Sequence, residues 1–153
     1  GPSLIAYGTP AQQARFLPGM LSGEVTWCIG MSEPDSGSDL ASLRSTAVID
    51  GDHFIVNGHK IWTSYATWCS MMFALVRTDP DAAKPQEGIS FLLLDMNSPG
   101  VTVRPIPWTA GRRASSAALA RPLAGRHFSR SAGRPICPST PGRCEPVAPG
   151  LRP

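Results

Sequence analysis

"STAVIDGDHFIVNGHKIWTSY", residues 45–65, alternates apolar and polar side chains around two turn dipeptides. Gly51-Asp52, preceded by Asp50, separates "STAVID" from "HFIVN", and Asn57-Gly58 separates "HFIVN" from "KIWTSY". Period-two alternation interrupted by an Asp-Gly and an Asn-Gly predicts successive hairpins. Outward from this core, "VTWCIGM" (25–31) alternates as well. "CSMMFALVRT" (69–78) and "GISFLLLDM" (88–96) read as longer apolar strands joined by the polar loop "DPDAAKPQE", and "GVTVRPI" (100–106) closes the series. Six or seven strands in about eighty residues with no helix between them predict a mainly β fold, an antiparallel barrel or sandwich.

Ahead of the strands, "TPAQQARFLPGMLSGE" (9–24) opens with a Thr cap and a Pro at the first helical position. Pro18-Gly19 punctuates it, so a short helix over about 10–16 and a second turn ending near Gly23 are expected. The domain reading is then the end of an N-terminal helical domain (1–24), a β-domain (25–107) and a tail (108–153).

Charge divides at the same place as texture. The whole chain carries 14 Lys/Arg against 11 Asp/Glu, a net of +3. Residues 1–107 hold 6 of the basic and 10 of the acidic groups, a net of −4, whereas residues 108–153 hold 8 Arg and only Glu145, a net of +7. The basic balance therefore belongs to the tail, and it does not mark the folded part as a nucleic-acid binder. In that tail 33 of 46 residues are Ala, Arg, Pro, Gly or Ser, with no sustained apolar period. Such a segment buries too little surface to offset chain entropy, so disorder is expected. A basic RNA-binding arm is the alternative, against which stand the lack of repeats and of interleaved aromatics beyond Trp108 and Phe128. A third reading is GC-rich coding DNA translated out of frame after "TVRPIP".

No stretch approaches the ~20 consecutive apolar residues of a membrane span, and the opening Gly is read as a fragment end. Cys28 and Cys69 are the cysteines of the body, with Cys137 and Cys144 in the tail. Two lone cysteines in apolar strands read as reduced core residues, not as a disulfide or metal site, which favours the cytosol.

Between strands lies "GMSEPDSGSDLAS" (30–42), rich in small hydroxyl and backbone donors. Pro34 fixes one φ, Gly37 is free to take positive φ, and Ser32, Ser36 and Ser38 supply small donors, a composition suited to a concave receptor for anions or carbonyls. An ordinary serine-rich connection, with Ser38 or Asp39 capping a helical turn, explains the same residues. Trp62, followed by Thr63 and Ser64, offers a flat aromatic face beside two hydroxyls, which suits a planar heterocycle; core filling is the alternative for Trp62.

"GMSEPDSGSDLAS" resembles the signature of the acyl-CoA dehydrogenase family, with every position of that pattern filled from Gly30 to Ser42. "NGHKIWTS" resembles the family's second flavin segment, "GTPAQQARFLPGMLSGE" its lead-in helix, and "EGISFLLLDMNSPGVTVRPI" the strands that follow. The resemblance covers residues 7–107. It implies an FAD enzyme that removes an α-proton and a β-hydride from an acyl-CoA to give a trans-2-enoyl-CoA and passes electrons to an electron-transferring flavoprotein. The family is usually dimeric or tetrameric. Carried over, Ile29, Gly30, Met31, Ser32, Gly37, Ser38, Trp62, Thr63 and Ser64 would contact the flavin, and Ser38 also the acyl-CoA.

Departures from the pattern are Ser32 for a frequent Thr, Asp35 for a frequent Gly, and His59 for a common Gln, the last read as a solvated side chain. The family's catalytic base is a glutamate on a C-terminal helical domain, and no carboxylate in 1–107 replaces it; Glu33 is assigned to the turn. No catalytic residue is therefore expected in this chain, and alone it is expected to bind FAD weakly and turn nothing over. An acyl-CoA oxidase or flavin monooxygenase on the same scaffold, or a partner subunit without activity, are the competing readings.

Overall fold

The computed structural model describes residues 1–51, 53–107, 113–119 and 128–129. Two helices lead in, α1 (Pro2–Tyr7) and α2 (Pro10–Ser22). Thr9 caps α2 through a reciprocal box, its hydroxyl accepting from the Gln12 amide while Gln12 Oε1 accepts from the Thr9 amide. The helix runs through Pro18 and stops at Gly23, whose φ of 78° is the left-handed cap glycine tolerates. The expected break at Pro18-Gly19 is therefore corrected. Proline removes one helical hydrogen bond, and burial of Phe16 against Leu93 and Trp27 offsets that loss. Gly19 serves a close approach instead: a Cβ there would lie 2.6 Å from Val25 Cγ2, where the Val25 amide donates to the Gly19 carbonyl.

The strands are β1 (Trp27–Gly30), β2 (Thr46–Asp50), β3 (His53–Lys60), β4 (Met71–Arg77), β5 (Ile89–Asp95), β6 (Val101–Pro107), β7 (Arg113–Leu119) and β8 (Phe128–Ser129). They form one curled sheet in the order β6-β7-β3-β2-β4-β5-β8, with β1 added beside β4. The mainly β, barrel-like expectation holds, and most pairings are antiparallel. The β1–β4 ladder is parallel, as is the single Thr46–Arg77 bridge between β2 and β4.

Asp50-Gly51 makes the expected hairpin, with Asp50 opposite His53 and Gly51 at φ 61°. Asn57-Gly58 does not. Strand β3 continues through it to Lys60, and the rest of "KIWTSY", from Ile61 on, is a turn-rich segment rather than a strand. The glycine is required there for space: a Cβ on Gly58 would meet the Ser45 side chain and lie 2.8 Å from Ser45 Cα. A second difference lies in the tail. "RASSAAL" pairs along the whole of β6, from Val101–Leu119 to Pro107–Arg113, and with the end of β3. This pairing satisfies backbone groups that the edges of β6 and β3 would otherwise leave open. The rest of 108–153 lies outside the described residues, apart from β8, and with it Cys137, Cys144 and the expectations of disorder and of a shifted frame.

The core has two faces. Met72, Ala74 and Val76 of β4 and Leu92 and Leu94 of β5 point inward against Cys28, Ala47, Phe54 and Val56. The alternate residues Phe73, Phe91 and Leu93 point outward and receive Leu4 and Phe16 from the helices, with Phe73 and Phe91 stacked at 4.7 Å. Alternation along β4 and β5 thus places apolar side chains on both faces, which is why these two strands read as continuous apolar runs. Among the described residues no helix is long and apolar enough to cross a membrane.

Candidate functional site

Strand β1 ends at the turn 31–39, and its position decides what the turn can present. The Met71 amide donates to the Thr26 carbonyl. In a parallel ladder alternate residues direct their backbone groups to opposite edges. Cys28 and Gly30 therefore face β4, and the backbone N–H and C=O of Ile29 face the other edge, where no strand pairs among the described residues. Gly30 packs close, since a Cβ there would lie 2.5 Å from Met72 Sδ.

The turn is closed by mutual bonds between Glu33 and Ser36, and the Glu33 carboxylate is turned inward. Glu33 Oε2 accepts from the Arg44 amide at 2.6 Å; Oε1 accepts from the Ser45 amide at 2.9 Å and from Lys60 Nζ at 2.7 Å. Lys60 is fully buried and also donates to the Met31 carbonyl at 3.2 Å. Burial works against the charged carboxylate, yet the Lys60 ammonium and the hydrogen bonds from residues 44 and 45 outweigh it and hold Glu33 at about 2. Burial lowers Lys60, opposed by its attraction to Glu33. Glu33 is thus more than a turn residue, because its side chain joins the turn to β2 and β3. Lys60 is a residue that sequence reasoning misses. Both lie inside the two quoted motifs, but their neighbours in sequence, Ser32, Pro34 and Asp35 beside Glu33 and His59 beside Lys60, give no sign of their burial.

Immediately after Lys60, the Ile61 amide donates to the Ser32 carbonyl at 2.9 Å. This bond places the start of the segment 61–64 beside Ser32, two residues past the end of β1. Trp62 and Tyr65 both take positive φ, 60° and 65°, which costs of order 1–3 kcal/mol each for non-glycine residues and is characteristic of functional segments. Trp62 is left 58% exposed and Ser64 exposed. Thr63 is wholly buried and its Oγ1 has no hydrogen-bond partner, so that hydroxyl does not reach the rim with Ser64.

Of the residues singled out in sequence, Met31 and Ser32 are tied through their carbonyls to Lys60 and Ile61, the two residues that precede Trp62. Gly37 and Ser38 are exposed beyond the loop that Glu33 and Ser36 close. Gly37 does not use its freedom to take positive φ, and a Cβ there would meet nothing within 4 Å. Asp39 caps the short helical turn Leu40–Ser42 with its carbonyl, which accepts from the Ser36 and Ser42 hydroxyls, not with its carboxylate. Asp35 pairs with Arg44 at 3.7 Å on the surface, and His59 is exposed as expected. Cys28 and Cys69 are free thiols; burial, reinforced by Cys69, pushes Cys28 up to about 12.

A groove of about 760 Å³ runs along the outer face of β1, bounded by Leu4, Trp27, Ile29, Trp68, Phe73 and Leu93 among others. It shares Ile29 with the rim, while Trp62 and Ser38 do not border it. The arrangement combines a free strand edge, an exposed indole with an adjacent hydroxyl, and an apolar trough on the neighbouring face.

Residues 28–120 match the acyl-CoA dehydrogenase middle domain, a match that continues beyond Pro107 through β7. An acyl-CoA dehydrogenase of Mycobacterium tuberculosis, IpdE1, is 48% identical over 111 residues, covering 72% of this chain and 29% of that protein. The solved steroid acyl-CoA dehydrogenase Tcur3481–Tcur3483 superposes with a TM-score of 0.78 at 37% identity, over 82% of this chain and 33% of its own. A glutaryl-CoA dehydrogenase of Mycobacterium smegmatis, solved in complex with FADH2, gives a TM-score of 0.70 at 28% identity over 81% of this chain and 31% of its own. The chain therefore spans about a third of the length of these relatives, and it belongs to the acyl-CoA dehydrogenase family as a segment carrying its middle domain.

Proposed function

We propose that this segment is the flavin-binding part of an FAD-dependent enzyme that converts an acyl-CoA to a trans-2-enoyl-CoA. The observation that supports the reading is the Ile61–Ser32 hydrogen bond, which ties the residue before exposed Trp62 to the chain just past β1. The residues present fit the ring system of a flavin. Backbone groups of Ile29 and Met31 and the Ser32 hydroxyl would meet its polar edge, Trp62 would lie against its face, and Ser64 would donate to a ring nitrogen. Gly30 lets the strand lie close to β4, while Gly37 and Ser38 would contact the cofactor or the acyl-CoA only at the outer lip. Thr63 would contribute through its backbone alone. Bound there, a flavin supplies an acceptor for the hydride from the acyl β-carbon.

The apolar groove beside Ile29 would receive the acyl portion. Glu33, the buried carboxylate among the described residues, is committed to Lys60 and held as an anion, so it is not the base for the α-proton. That base would come from outside residues 1–107, the electrons would pass to an electron-transferring flavoprotein, and the whole protein would be a cytosolic homo-oligomer. The chain alone would bind FAD weakly and be inactive.

The test is the whole protein that contains this segment: it should carry a yellow flavin bleached by acyl-CoA under anaerobic conditions, with reoxidation by a flavoprotein acceptor. Flavin-free enzyme, or rapid turnover with oxygen alone, would defeat the dehydrogenase reading.

A further inference from the structure

We infer that the Glu33–Lys60 pair is a positioning clamp that registers the end of β1 against the Trp62–Ser64 segment. The inference rests on the reading of these two segments as one flavin rim. Three stretches of chain converge on one carboxylate and one ammonium: the turn at 31–33, residues 44–45 that lead into β2, and the end of β3 at 60; the adjacent Ile61–Ser32 bond then ties in the segment that carries Trp62. Glu33 and Lys60 stand 27 residues apart in sequence and within 2.7 Å in space. Residues 61–65 are held on their C-terminal side by turn bonds from the Ala66 amide to the Thr63 carbonyl and from the Trp68 and Cys69 amides to the Tyr65 carbonyl, and toward the β1 end by the Ile61–Ser32 bond. They form turns, with two non-glycine residues at positive φ, and Trp62 itself is exposed.

Buried ion pairs are weak contributors to stability, because desolvation offsets their attraction and apolar replacements are often tolerated. They are strong contributors to register, because each partner is satisfied in one geometry. Here the carboxylate takes three hydrogen bonds from three directions and the ammonium spans Glu33 and the Met31 carbonyl. Moving either group by an ångström would break bonds on both segments at once. The clamp thus transmits the position of β1 to Trp62 without touching the proposed ligand, which makes Glu33 and Lys60 positioning residues.

The experiment compares the 153-residue chain with Glu33→Gln/Lys60→Met and, as a milder change, Glu33→Asp. Amide hydrogen exchange is read residue by residue, and FAD affinity by titration. The clamp predicts exchange at Ile61 accelerated at least tenfold, with the β4–β5 amides protected as in the parent, and FAD bound at least tenfold more weakly. Unchanged Ile61 exchange in both variants overturns the inference, and so does a uniform acceleration across the sheet, which would mark the pair as a general stabiliser. Should the double variant not fold, Glu33→Asp decides by the same contrast. If the parent binds no FAD, the flavin reading falls while exchange at Ile61 still judges the clamp.

Discussion

Gly58→Ala tests the close approach of β3 to the residue that leads into β2. In place of the glycine hydrogen, a methyl group would meet Ser45 Oγ and Cβ and lie 2.8 Å from the Ser45 α-carbon. A clash with main-chain atoms is not relieved by a rotamer change, so β2 and β3 must separate locally at the point where the Ser45 amide bonds Glu33. Overpacking of this kind costs about 1–3 kcal/mol, and the entropy gained by replacing glycine returns only about 0.4–1 kcal/mol. A net loss of about 1 kcal/mol follows from the middle of those two ranges. With urea m-values of roughly 1–3 kcal/mol/M for small domains, the unfolding midpoint should fall by about 0.5 M. The assay is urea unfolding of the 153-residue chain followed by tryptophan fluorescence. Ser45→Gly in the same chain removes the clashing hydroxymethyl group and leaves the main-chain overlap, so it should restore part of the loss. A midpoint for Gly58→Ala equal to or above the parent's would refute the close-approach argument.

Thr63→Val replaces a buried hydroxyl that has no partner with an isosteric methyl; the chain should gain about 1 kcal/mol or stay unchanged in thermal unfolding, with FAD affinity unaltered. Acid should weaken the fold through Glu33: its folded value near 2 lies below its ordinary 4.5, so its stabilisation is complete above pH 4.5 and is lost as pH falls from there toward 2. Glu33→Gln should abolish that component of the stability–pH profile, and an identical acid limb in variant and parent would contradict the pair. Leu92→Ala, in the centre of the inner face of β5, should cost about 2–5 kcal/mol by the same urea assay.

Much of this architecture is legible in the residues because alternation is a local signal. β2, β4, β5 and β6 announce themselves by period or by apolar runs, and Asp50-Gly51 turns where it should. Asn57-Gly58 carries an equally strong turn signal yet lies inside β3, since what decides it is the approach of Ser45, a neighbour that no short window contains. Pro18 is overridden in the same manner, by the burial of Phe16 on the sheet. β7 is built largely from Ala and Ser, whose own preferences say little; its pairing depends on the open edges of β6 and β3.

At the site, chemistry points to Trp62 and Ser64, and motif points to Ile29 through Ser32. The link between them is invisible in the sequence because it runs through Glu33 and Lys60, which look like surface charges until the fold closes around them. Gly37 enters the candidate set as a turn glycine of the first motif and Thr63 as a hydroxyl beside the indole. The backbone sends the Thr63 hydroxyl inward and leaves Gly37 without a left-handed conformation.

The claim most exposed to failure is that the end of β1 and the Trp62 segment form one receptor for a flavin. Backbone amide chemical shifts of the isotopically labelled chain, followed as FAD is added, test it directly. Shifts confined to residues 29–32 and 61–64, saturating together at one weak affinity, are the predicted result. No shifts at millimolar FAD, or shifts that move only in the arginine-rich tail, would contradict it.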